Sequence, residues 1–241
     1  MNSIMMYGSS FAPFLLLLIF PVLLGFWANH RVKSSFRKWS EVRSSSNMTG
    51  AQMARTILDR NGLTDVRVIS VPGALSDHYD PRSRTVALSE SVYGVQSVAA
   101  VSVAAHEVGH AIQHQRSYFP LAIRSAVLPA AQFGSNAWAI LSTIGFLLLF
   151  LVRSPLGLYA LGIGIIFFSF AVLFQIVTLP VEFDASRRAK KQLIEMNMVP
   201  QSETAGTAAV LQAAALTYVA AALASIGTLV YYIMLVLGNR S

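Results

Sequence analysis

His106-Glu107-Val108-Gly109-His110 sets two imidazoles four residues apart, with a carboxylate directly after the first. On an α-helix such positions lie one turn apart on one face, so both rings can reach a single zinc ion. Glu107 then stands where its carboxylate can touch a water on that metal. Zinc draws the pKa of such a water toward neutrality. The glutamate can take its proton as the water attacks a peptide carbonyl, and can pass that proton to the leaving amine. The competing reading is a helix whose histidines only pack or face solvent.

The elements around the motif favour the chemical reading. From about residue 97 to 115 the chain is Ala-rich, free of proline and poor in glycine, which favours a helix. Two β-branched stretches precede it, Val66–Val71 and Thr85–Leu88, as a zinc peptidase requires. Thr49 and Gln52 make a capping-box pattern that opens a short amphipathic helix over 50–61, closed by Asn61-Gly62. Residues 77–81 are turn-rich, and 31–48, rich in Ser and Arg, read as a connector on the membrane surface or equally as a solvated linker.

A catalytic zinc needs a third protein ligand and one open position. Two residues compete for that place. His114 extends the motif, but on a continuous helix it lies ~12 Å along the axis from His106. No helix breaker stands between them. Glu182 follows Pro180, a residue suited to the first turn of a new helix. As alternatives, Glu182 could satisfy that helix terminus or pair with Arg187.

Composition sets the setting. The 241 residues are 54% hydrophobic and 12% charged, about half the charged share of a soluble domain. No cysteine is present, which excludes disulfides, thiolate metal sites and thiol nucleophiles. The net charge of +7 lacks the basic–aromatic stripe of a nucleic-acid surface, so no nucleic-acid partner is expected.

Four apolar stretches, 11–28, 133–152, 156–179 and 213–237, are each near the ~20 residues that cross a bilayer. Basic residues cluster after the first (Arg31, Lys33, Arg37, Lys38, Arg43) and after the third (Arg187, Arg188, Lys190, Lys191). By the positive-inside rule, 29–132 and 180–212 are cytoplasmic and both termini lie outside. The second and third spans form a hairpin through Arg153-Ser154-Pro155. The hairpin returns Glu182 to the membrane face that carries the histidine motif.

Three segments together, AAHEVGHAIQH (104–114), DHYDPRSRTVALSESVYG (77–94) and LPVEFDASRRA (179–189), make the chain resemble the YugP-type neutral zinc metallopeptidases of bacterial membranes. The similarity extends over nearly the whole length, including the order of the spans. The layout is also similar to that of HtpX-type membrane proteases. The resemblance implies His106, His110 and Glu182 as zinc ligands and Glu107 as general base. One departure stands out. HtpX-type proteins carry E-[FY]-x-A-D, whereas this chain reads Glu182-Phe183-Asp184-Ala185-Ser186. Asp184 is about 200° around a helix from Glu182 and is expected to face away from it.

The expectation is therefore a mainly α membrane protein of four transmembrane helices. It carries a small α+β, zincin-like (gluzincin) cytoplasmic unit over 29–132, and a cytoplasmic helix in 180–212 bearing the third ligand. The expected activity is zinc-dependent endopeptidase action on peptides or membrane proteins in a bacterial plasma membrane, with one Zn²⁺ per chain. His78 and Tyr79 are further candidates, for an oxyanion or substrate contact, against a role in the Asp80-Pro81 turn. Arg187 and Arg188 can meet substrate or lipid headgroups. Two rivals remain: a site-2-type intramembrane protease, since Val98–Ala105 is apolar, and a non-proteolytic scaffold or chaperone.

Overall fold

The computed structural model describes residues 3–238, with side chains from residue 19 onward. The elements in chain order are α1 (Ser3–Ser40), α2 (Gly50–Arg60), β1 (Arg67–Val71), β2 (His78–Asp80), β3 (Thr85–Ser89), α3 (Glu90–Tyr93), α4 (Val98–Gln115), α5 (Phe119–Phe150), α6 (Leu156–Glu195) and α7 (Gln201–Gly238). The protein is mainly helical with one small mixed sheet. It forms two compact units, the first from residues 1–27, 123–178 and 218–241, the second from 28–122 and 179–217.

In the first unit the helices keep apolar side chains on the outside. Ile140, Phe150, Ile163, Ile166 and Met234 are all exposed, the surface a helix presents to lipid rather than water. Among the described residues three helices, α5, α6 and α7, are long and apolar enough to cross a membrane. The expected spans 133–152, 156–179 and 213–237 fall almost wholly in these helices. The expected first span, 11–28, falls in α1, and its side chains up to residue 18 lie outside the described residues.

Small residues let α5 and α6 approach closely. A Cβ on Gly134 would lie 2.3 Å from the Phe167 carbonyl oxygen, and one on Gly157 2.5 Å from that of Gly145. The turn between the two helices is as tight as expected. Arg153 adopts a φ of 55° and the Ser154 amide donates to the Leu148 carbonyl at 2.8 Å.

The second unit holds the soluble-type core. Thr49 caps α2 reciprocally: its Oγ1 accepts from the Gln52 amide at 3.2 Å, while the Gln52 side chain accepts from the Thr49 amide at 2.9 Å. Met53, Ala54, Ile57 and Leu58 of α2 are fully buried. The sheet order is β1-β3-β2, with β1 parallel and β2 antiparallel to β3. Every residue of the central strand β3 is buried. Ser97 caps α4 by accepting from the Ala100 amide at 3.1 Å, and α4 is buried from Val98 to Gln113 except at Val103, which is partly exposed. Val101, Ala104, Val108 and Ile112 of α4 share one core with α2, Val86, Leu88 and Leu193.

Three local expectations need correction. The stretch 31–48 is not a connector throughout, because α1 continues to Ser40; residues 29–49 contain neither glycine nor proline to stop it. Residues 77–81 are not simply a turn. His78–Asp80 form β2, paired with Thr85–Ala87, and pairing overrides the poor strand propensity of Asp80. Its carboxylate still closes the turn that follows, accepting from the Arg82 amide at 2.9 Å. Finally, Pro180 does not begin a helix but lies inside α6. Its fixed φ suits the helix, and continuity costs one backbone hydrogen bond.

Candidate metal centre

Helix α4 presents His106 and His110 on one face, and α6 brings Glu182 against them, all three within the second unit. The approach of the two helices depends on Gly109. A Cβ there would lie 2.5 Å from the Ala185 carbonyl oxygen, so only glycine permits this backbone contact. Ala185 is one turn after Glu182, as Gly109 is one turn after His106, and the contact sets the three side chains at one level. His106, His110 and Glu182 are 8%, 9% and 2% exposed.

Nε2 of His106 lies 3.3 Å and Nε2 of His110 3.5 Å from Glu182 Oε2. One donor atom from each residue falls within 4.8 Å of the other two. Hydrogen bonds between an imidazole and a carboxylate are usually about 2.7–2.9 Å, shorter than either separation. Two ligand atoms each ~2.0–2.1 Å from one tetrahedral zinc stand about 3.3 Å apart. The spacing is that of a coordination edge.

The other ring nitrogens are engaged. His110 Nδ1 lies 3.0 Å from Gln113 Oε1, and His106 Nδ1 lies 3.1 Å from Ser186 Oγ. A ring whose Nδ1–H donates outward turns its Nε2 lone pair inward, where it can serve as a metal ligand. Two imidazoles and one carboxylate suit zinc, and three ligands leave a fourth position for water or substrate.

Electrostatics separates the two glutamates. Burial opposes ionisation of Glu182, but the facing His106 and His110 rings outweigh it and hold the carboxyl well below the usual carboxylate range. Glu107, 7% exposed, goes the other way. Burial pushes its carboxyl up to about 7; His106 pulls it down, while Glu182 and Asp77 add to the rise. A carboxyl poised near neutrality suits a group that must both accept and release a proton.

His114 is outside the cluster, with Nδ1 at 2.9 Å from the Tyr79 hydroxyl. His78 is exposed and its Nδ1 faces the Ser76 carbonyl at 2.8 Å. Arg187 and Arg188 both pair with Asp184, and the Arg188 guanidinium also lies over the Tyr118 ring at 5.6 Å. Burial resists ionisation of Asp184, but the hydrogen bonds from Arg188 and Gln113 prevail and lower its pKa.

Sequence reasoning missed Gly109, Gln113 and Ser186 as parts of this site. Gln113 is three residues after His110 and Ser186 four after Glu182, spacings that share a helix face. That periodicity was the available signal.

The model of the family described as "Putative neutral zinc metallopeptidase" matches residues 14–237. The chain is 50% identical over 227 residues to the "Putative membrane protease YugP" of Bacillus subtilis (strain 168), covering 94% of this chain and 98% of that protein. No solved structure matches the chain.

Proposed function

The chain belongs to this neutral zinc metallopeptidase family, and on that premise we propose that it is a membrane-embedded zinc metalloendopeptidase of gluzincin type. The observation that carries the reading is the convergence of His106 Nε2, His110 Nε2 and Glu182 Oε2 on one point, with both Nδ1 atoms engaged elsewhere. These three residues hold one Zn²⁺. When bound, it supplies a Lewis acid that polarises a carbonyl and acidifies a coordinated water.

Glu107 is the general base. Its carboxylate receives a proton from the water that attacks the peptide carbonyl, forming the new C–O bond. It delivers that proton to the amine nitrogen as the C–N bond breaks, which returns the residue to its starting state. In the metal-free protein burial raises its pKa to about 7; a bound dication would draw it down and favour the carboxylate that accepts the proton. Strand β2 is an edge of the sheet, where an extended peptide can add as a further strand. His78 and Tyr79 of β2 are the candidates for an oxyanion or substrate contact; His78 Nδ1 faces the Ser76 carbonyl and the Tyr79 hydroxyl faces His114 Nδ1.

Four spans, with 11–28 as the first, place the site on the cytoplasmic face of a bacterial plasma membrane and both termini outside, following the basic clusters after the first and third spans. Substrates are peptides or membrane proteins. Chelation and readdition test the activity. Removing zinc from the detergent-solubilised protein abolishes casein cleavage, and one equivalent of zinc restores it. Cleavage that persists without metal overturns the reading.

A further inference from the structure

Gln113 is fully buried, and its side-chain amide makes three contacts. Nε2 donates to the Val181 carbonyl at 2.8 Å and to Asp184 Oδ2 at 2.9 Å, and Oε1 faces His110 Nδ1 at 3.0 Å. The two Nε2 partners are a carbonyl and a carboxylate, neither of which donates. Rotating the amide by half a turn would set its oxygen against both. The amide therefore has one orientation, and His110 Nδ1 can only be the donor to Oε1.

We infer that Gln113 is a positioning residue that fixes His110 as its Nδ1–H tautomer and so keeps Nε2 free for a metal. Asp184 holds the amide, and Arg187 and Arg188 hold Asp184. Asp184 thus acts on His110 through the glutamine. The two histidines are therefore held unequally. The Ser186 hydroxyl beside His106 Nδ1 can turn to donate or accept, so by itself it leaves that ring's tautomer open. Groups behind a ligating histidine typically change metal affinity 10–100-fold. This inference rests on the metallopeptidase reading for its purpose, but the tautomer itself is a property of the metal-free protein.

The test is nitrogen-15 NMR of the histidine rings in metal-free, detergent-solubilised protein, joined to zinc affinity by chelator competition. Wild type should show His110 protonated at Nδ1. Gln113→Leu removes the acceptor at nearly constant volume; it should mix the His110 tautomers, leave the His106 pattern unchanged and weaken zinc roughly 10–100-fold. The double variant Gln113→Glu with Asp184→Asn gives up the donation to the Val181 carbonyl but keeps an acceptor at Nδ1 and an amide to meet it, and should restore the His110 pattern. A general packing defect would disturb both rings and would not be rescued. If Gln113→Leu does not fold, the wild-type spectrum decides alone: a His110 ring protonated at Nε2 rather than Nδ1 overturns the inference. Unchanged His110 signals and zinc affinity in Gln113→Leu also overturn it. A wild type that binds no zinc but shows a fixed His110 tautomer contradicts the metallopeptidase reading and leaves the role of Gln113 standing.

Discussion

Gly109 and Ala185 meet backbone to backbone, and a Cβ on Gly109 would come within 2.5 Å of the Ala185 carbonyl oxygen. This contact sets α6 against α4 at the level where Glu182 reaches the two histidines. Alanine is the better helix former by about 1 kcal/mol, but overpacking at a buried backbone contact costs about 1–3 kcal/mol. Overpacking should win. Gly109→Ala is expected to lower the melting temperature and weaken zinc binding at least about tenfold, read by thermal unfolding and chelator competition. A variant with both values unchanged would show that the helices separate without consequence.

Glu107 links stability to pH in the metal-free protein. Its folded pKa of about 7 lies above its ordinary value of 4.5, so the folded state keeps a proton that the unfolded chain releases between these values. Below about pH 4.5 both states are protonated and there is no penalty. Stability falls as pH rises through the window, by roughly 3 kcal/mol in all. Glu107→Gln removes the ionisation. The stability difference between wild type and variant, followed by melting in detergent from acid to neutral pH, should change with that sign. A pH-independent difference would mean Glu107 ionises at its ordinary pKa.

Glu203 should matter for folding but not for metal. It is buried and accepts from the Ser45 amide at 2.8 Å, the Ser45 hydroxyl, and the Ser44 hydroxyl at 3.3 Å. Glu203→Ala removes these hydrogen bonds, which tie α7 to the 44–45 segment, at about 1–3 kcal/mol. A lower melting temperature with full zinc stoichiometry is expected. Loss of zinc in this variant would couple the 41–48 segment to the centre.

The absence of cysteine makes the orientation directly measurable. A cysteine replacing exposed Arg82, in the turn after β2, would be the single thiol in the protein. An impermeant maleimide should label Arg82→Cys in inverted vesicles and not in intact cells. Labelling from outside would place the site on the opposite face.

Much of this arrangement was legible because it is written in local spacing. Two histidines four apart on a proline-free stretch give one helix face. The Thr49–Gln52 box and the β-branched runs before the motif give α2, β1 and β3. Glu182 was legible at longer range, through the pair of apolar stretches whose expected hairpin returns the chain toward the histidine motif. The remainder depends on partners distant in sequence. His78–Asp80 become a strand only because β3 is there to pair with, and Pro180 looks the same in a short window whether it opens a helix or lies within one. Gln113 has a meaning only once Asp184 and Val181 stand beside it, a tertiary fact that helical periodicity alone does not contain.

The most direct measurement pairs zinc content with casein cleavage in detergent for wild type, Glu107→Gln and Glu182→Ala. Zinc near one per chain is expected in wild type and Glu107→Gln, and loss of zinc in Glu182→Ala. Cleavage should be confined to wild type, with Glu107→Gln slower by about 10²–10⁴-fold. Full cleavage by Glu107→Gln, or full zinc in Glu182→Ala, would contradict a centre built from His106, His110 and Glu182 with Glu107 as its base.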